Sequence, residues 1–280
     1  MSEGCTIVSH EMQPCCLTVA GSDSGGNAGV QADLRAFHCY GLHGCTVIAA
    51  LTAQNPHGVS AVQGVSPEFV AAQLDAVLGV YNVRAMKTGI LSDPAVVEVV
   101  TDRLAGHGEI AKVVDPVMIA TSGARLASQE AVTAMIEMLF PLAALVTPNL
   151  PEAEVICGVD SASAAGRAAD VARARDLARR IFEKHGCAAL VKGGHGTNAS
   201  AVDVLYDGED FAEFSMPWVV EPVSTHGTGC SLAAALAAEL ALGRKLRDAV
   251  AGAKRYVHAA IVNGFSVGRD CGVLGFVDMK

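Results

Sequence analysis

Short apolar runs alternate with helix-like segments along almost the whole chain, and this alternation limits its fold more than any other feature. Residues 16–20 form a continuous apolar run that enters a glycine-rich loop. A helix over 30–40 follows, closed by Gly41 just past its end. Further strand-like runs fall at 45–51, 59–65, 83–87, 113–115, 144–146 and 187–191. Helix starts are marked by Ser66 before Pro67, by Ser92-Asp93-Pro94 and by Ser128, whose helix is expected to reach 140. Residues 160–175 carry the most surface-like composition and are expected to form a loop entering a helix that ends near His185-Gly186. Asp207-Gly208 between runs at 201–206 and 211–216 is a hairpin signal. Two helices, over 230–242 and 246–263, are expected to close the chain. Buried strands joined through helices imply a mostly parallel sheet with helices on both faces, and the hairpin adds antiparallel strands at one edge.

The chain has 280 residues, 51% of them apolar and 18% charged, so composition permits a packed core and argues against disorder. No low-complexity linker or internal repeat divides it. The expected organisation is a flexible segment over 1–15 and a single domain over 16–280. A net charge of −9 argues against nucleic acid and against anionic membrane surfaces as partners. Nine cysteines, irregularly spaced, do not form a disulfide framework. Neither a leader peptide nor an eighteen-residue apolar span is visible, and the expected compartment is the cytoplasm.

In parallel α/β sheets ligands bind beyond the carboxyl ends of the strands, where this chain places its glycines and polar residues. Thr225-His-Gly-Thr-Gly-Cys230 opens directly into an alanine-rich helix. Unpaired N–H groups and the helix dipole at such a start attract an anion, and the same field lowers a thiol pKa at Cys230. Taken alone, the turn is equally an ordinary glycine turn before a core helix. It lacks the Gly-Lys-Ser/Thr of a Walker loop, and Leu232 replaces the third glycine of a dinucleotide fingerprint.

Asn149 and Glu152 follow a strand end. They suit either a helix cap or a metal–phosphate site, and capping is the simpler account of the pair taken alone. Asp115 can orient metal-bound water or cap a turn. Lys192 beside Gly193 can reach phosphate or be solvated. Gln54 offers a donor and an acceptor to an aminopyrimidine edge, or solvates a turn. Histidines 10, 38, 43, 57, 107, 185 and 258 show no metal spacing, while His195 and His226 lie inside motifs. Neither GxSxG nor HExxH occurs.

Seven stretches, in order, carry a resemblance. They are Ala20-Gly-Ser-Asp-Ser-Gly-Gly-Asn-Ala-Gly-Val-Gln-Ala-Asp33, Ala50-Leu-Thr-Ala-Gln-Asn55, Lys87-Thr-Gly89, Asp115-Pro-Val-Met118, Thr147-Pro-Asn-Leu-Pro-Glu152, Val191-Lys-Gly-Gly-His195 and Thr225-His-Gly-Thr-Gly-Cys230. Through them the chain resembles the ribokinase-like superfamily, and within it the hydroxymethylpyrimidine and phosphomethylpyrimidine kinases of thiamine biosynthesis. The resemblance implies a three-layer α/β/α sandwich with ATP and Mg²⁺ at the carboxyl edge of the sheet. It implies two successive phosphorylations of 4-amino-5-hydroxymethyl-2-methylpyrimidine. Carried over residue by residue, it makes Cys230 the base, with Gly227 and Gly229 in the anion hole and Lys192 facing phosphate. Gln54, Gly21, Asp33 and Val117 would line the pyrimidine pocket. Thr147, Asn149 and Thr228 would meet ATP, and Glu152 and Asp115 the metal. A homodimer is typical of the family. This chain departs from the pattern at Ile90, where the family often has methionine, and at Thr121, where a lysine often precedes the Ser-Gly at 122–123. Two other readings are pyridoxal kinase on the same scaffold and a non-catalytic nucleotide-binding protein.

Overall fold

The computed structural model describes residues 12–118, 126–159, 167–193 and 200–279. Its elements run in the order β1 (Cys15–Asp23), α1 (Gly29–Cys39), β2 (His43–Asn55), β3 (Gly58–Gly64), α2 (Pro67–Leu78), β4 (Val83–Thr88), α3 (Pro94–Ala105), β5 (Ala111–Val114) and α4 (Gln129–Ala134). Then come β6 (Leu145–Val146), α5 (Leu150–Cys157), α6 (Arg167–His185), β7 (Ala188–Val191), β8 (Ser200–Tyr206), β9 (Phe211–Pro217), α7 (Thr228–Ala241), α8 (Leu246–Val262), β10 (Phe265–Gly268) and β11 (Cys271–Val273).

Nine of the described strands form one sheet in the order β3-β2-β1-β4-β5-β6-β7-β8-β9. The pairs from β2 through β7 are parallel. Strand alternation sorts the apolar side chains into two cores. Leu17, Val19, Val114, Val146, Ala189 and Val191 face one way, against α2, α3 and α6. Cys16, Val113, Leu145 and Leu190 face the other way, against α1, α7 and α8. The result is the expected three-layer sandwich, with one polar edge left open at the carboxyl ends of the parallel strands.

Some expectations need correction. Antiparallel pairing occurs at both edges of the sheet: β3 pairs β2, and β8 and β9 continue from β7. The run at 59–65 has the same strand composition in either direction, so pairing direction was not encoded there. The helix after Ser128 changes to a π-turn over Met135–Leu139 and a 3₁₀ turn over Phe140–Leu142, where Pro141 cannot supply an N–H. Helix α6 begins at Arg167, within the segment expected to be a loop, because its Ala and Arg are strong helix formers. The closing hairpin β10–β11 was not foreseen. The N-terminal segment expected over 1–15 falls mostly outside the described residues, and β1 already starts at Cys15.

Helix starts follow the local chemistry. The Ser66 hydroxyl accepts the Phe69 N–H at 3.3 Å, and the Asp93 carboxylate accepts that of Ala95 at 2.8 Å. Helices α1, α7 and α8 take no side-chain cap from their own N-cap residue, and α1 and α7 open onto the cleft described next.

Candidate active site

A cleft of about 670 Å³ runs along the carboxyl ends of the strands. Gly21, Gln54, Asp115, Val117, Asn149, Glu152, Lys192 and the turn Gly227–Cys230 all line it.

The first wall is the loop after β1. Buried Asp23 accepts backbone N–H bonds from Gly25 (2.8 Å), Asn27 (3.0 Å) and Ala28 (2.8 Å), so it caps α1 from the strand end. Burial alone would raise this carboxyl, but His226 and the backbone amides outweigh it and hold it below the ordinary range. Across the loop, the Gln54 and His226 Nε2 atoms lie 3.2 Å apart, and Thr52 Oγ1 lies 3.2 Å from Gln54 Oε1.

The second wall is the start of α7. Gly227 takes φ 87°, and a Cβ there would overlap the Asn27 carbonyl, so only glycine fits. The amides of the first turn of α7 receive no side-chain cap from Gly227. A Cβ placed on Gly229 would stand 3.6 Å from Lys192 Nζ and 4.0 Å from Asp115 Oδ2. The glycine therefore keeps open a cradle between the helix start and a lysine, a geometry suited to an anion.

The cradle's floor is a charge cluster. Lys192 Nζ donates to Asp115 Oδ1 at 2.9 Å, and the Thr147 hydroxyl donates to the same oxygen at 2.9 Å. Burial alone would lower the Lys192 ammonium, but Asp115 and Glu152 outweigh it and raise it, so the lysine stays charged. Asn149 and Glu152 form a full capping box, each side chain meeting the other's backbone N–H at 2.8 Å. Capping and the cleft position thus coexist. Burial pushes the Glu152 carboxyl up, with Lys192 opposing and Asp115 adding. Among the described residues no group of three or more His, Cys, Asp or Glu could cage a metal. The Asp115 and Glu152 carboxylates beside the cradle instead suit Mg²⁺, an ion that keeps several waters and takes one or two protein carboxylates.

Three sequence expectations are corrected here. Asp33 is fully buried and does not reach the cleft; it accepts both Lys87 Nζ contacts, at 2.9 and 3.0 Å, and the Thr18 hydroxyl at 2.6 Å. Thr147 is likewise fully buried, behind Asp115. The Cys230 thiol, expected to be lowered by the helix field, is pushed up by burial, with Lys87 opposing only in part. His195 and residues 121–123 lie outside the described residues.

Sequence reasoning gave no role to several residues that build this site. Lys87, fully buried beneath the cleft, is raised: burial would lower it, but Asp33 outweighs that cost. A lysine inside an apolar parallel strand was the available signal. Asp203 Oδ1 accepts the Gly193 N–H at 2.9 Å, and its Oδ2 accepts from Lys254 at 2.6 Å, so this pair fixes the turn that carries Lys192. The partners stand 51 residues apart, and no local pattern joins them. The single tryptophan of the chain, Trp218, also lines the cleft.

The chain is similar to known proteins along most of its length. The profile described as phosphomethylpyrimidine kinase matches residues 23–275. The hydroxymethylpyrimidine/phosphomethylpyrimidine kinase of Rhizobium meliloti is 47% identical over 250 residues, covering 89% of this chain and 91% of that protein. The thiamine biosynthesis bifunctional protein ThiED of Geobacter sulfurreducens is 45% identical over 261 residues, covering 93% of this chain; the chain spans about half of that relative, 52%. Among solved structures, an ADP complex of Bacillus subtilis pyridoxal kinase superposes with TM-score 0.84 at 32% identity, covering 96% of this chain and 99% of that one.

Proposed function

The chain belongs to the phosphomethylpyrimidine kinase family, and from that premise we infer that it transfers phosphate from ATP to 4-amino-5-hydroxymethyl-2-methylpyrimidine and then to the resulting monophosphate, for thiamine synthesis. The observation that carries the site assignment is the cradle at Gly229, with the uncapped start of α7 on one side and Lys192–Asp115 on the other.

Phosphoryl transfer leaves a protein little covalent chemistry, so the residues act by positioning and by stabilising charge. Gln54 holds the ring edge, and Gly21 and Val117 line the same cleft. The N–H groups at Gly229 and Cys230, with Gly227 and Thr228 shaping the turn, take up charge on the transferring group. Lys192 neutralises phosphate oxygens, and Asn149 adds an amide from the start of α5. Glu152 and Asp115 would hold Mg²⁺, which supplies charge neutralisation across the phosphates. The Cys230 thiolate accepts the hydroxymethyl proton as the hydroxymethyl oxygen bonds to the γ-phosphorus and the bond from that phosphorus to the departing ADP oxygen breaks. Because burial pushes the thiol up, its thiolate depends on the nearby Lys87 ammonium and the Gly29 N–H.

The protein is further proposed to be a cytoplasmic homodimer whose residues 16–280 form one domain. The continuous nine-stranded sheet supports the single domain. The described cysteines are all unpaired, which suits a reducing compartment. No helix among the described residues is long and apolar enough to cross a membrane. Exposed Leu51 and Val62, on opposite faces of the β2–β3 edge, offer a second copy apolar contacts.

ATP turnover with and without hydroxymethylpyrimidine, in the native chain and in Lys192→Met, tests the reading. Turnover should depend on the pyrimidine and collapse in the variant. Equal turnover without the pyrimidine would refute it.

A further inference from the structure

Gln54 is not an isolated reader of the ligand. Its amide is held at both ends, by Thr52 two residues before it and by His226 on the phosphate-binding turn, 172 residues away. The Thr52 hydroxyl has one proton and two candidate acceptors, the Ser22 carbonyl at 3.0 Å and Gln54 Oε1 at 3.2 Å. A backbone carbonyl at the shorter distance takes that proton, which leaves the Thr52 oxygen as an acceptor. On the other side, His226 Nε2 faces Gln54 at 3.2 Å and the Asp23 carboxylate at 3.8 Å. A carboxylate facing a ring nitrogen favours a proton there. Both neighbours therefore point to the same arrangement of the Gln54 amide, with its oxygen and nitrogen exchanged relative to the positions in which Nε2 lies at His226 and Oε1 at Thr52. Its NH₂ donates to Thr52, and its carbonyl accepts from His226 Nε2–H. The oxygen and nitrogen of a side-chain amide are told apart by just such partners.

We propose that His226 is a positioning residue that fixes the order of donor and acceptor Gln54 presents to the substrate ring, and so sets ring specificity from within the phosphate-binding turn. This rests on the pyrimidine reading above. Held in this order, the amide has one N–H and one carbonyl lone pair left for the ligand. An aminopyrimidine edge offers a ring-nitrogen acceptor beside an exocyclic NH₂ donor, and it pairs with that amide in one orientation of the ring. Rotating the amide reverses the order and turns the hydroxymethyl group away from the cradle at Gly229. A hydroxypyridine ring presents a different edge, so locking the amide also discriminates between ring classes.

The test combines two measurements. In ¹⁵N-histidine spectra of the ligand-free chain, with the His226 signal assigned by its loss in His226→Asn, Nε2 should be of the protonated, pyrrole type. In steady-state kinetics, His226→Phe keeps ring volume and removes the donor. It should raise the hydroxymethylpyrimidine KM by about 3- to 10-fold, the worth of one neutral hydrogen bond, with the ATP KM moving far less. His226→Asn keeps an N–H and should recover part of the loss. His226→Phe added to Gln54→Leu should cost nothing further, since both act through one amide. A pyridine-type Nε2, additive losses in the double variant, or equal rises in both KM values would overturn the proposal. If the native chain does not turn over hydroxymethylpyrimidine, the functional reading fails on its own, and the ¹⁵N signal still decides the state of His226.

Discussion

Lys87 Nζ meets both carboxylate oxygens of Asp33, at 2.9 and 3.0 Å, with neither side chain exposed to solvent. The pair lies beneath the cleft and ties β4 to α1, with Thr18 of β1 as a third member. An ion pair in this position is balanced only while both partners remain. Asp33→Asn should therefore destabilise the chain by about 3–5 kcal/mol, the usual cost of stranding a buried charge. Chemical denaturation of the variant measures this. A variant of native stability with a raised pyrimidine KM would instead place Asp33 in the substrate pocket.

Gln54→Leu tests the ring-edge assignment. A buried substrate edge left without its partner costs about 1–3 kcal/mol. The pyrimidine KM should rise by the matching factor, with ATP binding close to native. Equal losses for both ligands would make Gln54 a residue of the loop's architecture.

The mostly parallel sheet with helices on both faces was legible because residues 16–20, 113–114 and 187–191 are largely apolar runs that suit buried strands, whereas the strand order was not. The glycine turn at 227–229 was legible as a turn opening a helix, but its spacing alone left an anion site and an ordinary turn equally open. Features that depend on distant partners were not legible. Nothing local marks the Lys87–Asp33 pair, the Asp203–Lys254 pair or the contact of His226 with Gln54, because the sheet brings these residues together across 54, 51 and 172 positions. Cys230 shows the same limit in its energetics. Its place at a helix start was read correctly, but burial outweighs the Lys87 ammonium and the Gly29 N–H that would lower the thiol, and burial is set by the fold as a whole.

Glu152→Gln separates metal binding from capping. Glutamine still closes a capping box, so the melting temperature should hold. The lost charge should lower activity and raise the Mg²⁺ concentration needed for half-maximal rate. A variant that melts early yet keeps its Mg²⁺ response would leave Glu152 with the cap alone.

The raised Cys230 thiol gives a pH dependence of definite sign. An acid whose pKa is raised ionises later as pH rises, so the thiolate fraction stays small near neutrality and grows through the alkaline range. If the thiolate accepts the hydroxymethyl proton, kcat should climb with pH until the thiol has titrated or the fold fails. Cys230→Ala should lower kcat by about 10²–10⁴-fold, the usual worth of general-base assistance. Cys230→Asp should restore part of the rate and flatten the alkaline rise, because a carboxylate is already ionised there. A native profile without that rise would leave the turn acting through its N–H groups alone.

The most direct test of the whole account is the mass of the product. The native chain would be incubated with ATP, Mg²⁺ and either hydroxymethylpyrimidine, its monophosphate or pyridoxal, and the products weighed by mass spectrometry. The account predicts a monophosphate from the first, a diphosphate from the second, and pyridoxal turned over far more slowly than either. Phosphorylation of pyridoxal alone, or ATP hydrolysis that leaves every ring unmodified, would contradict it.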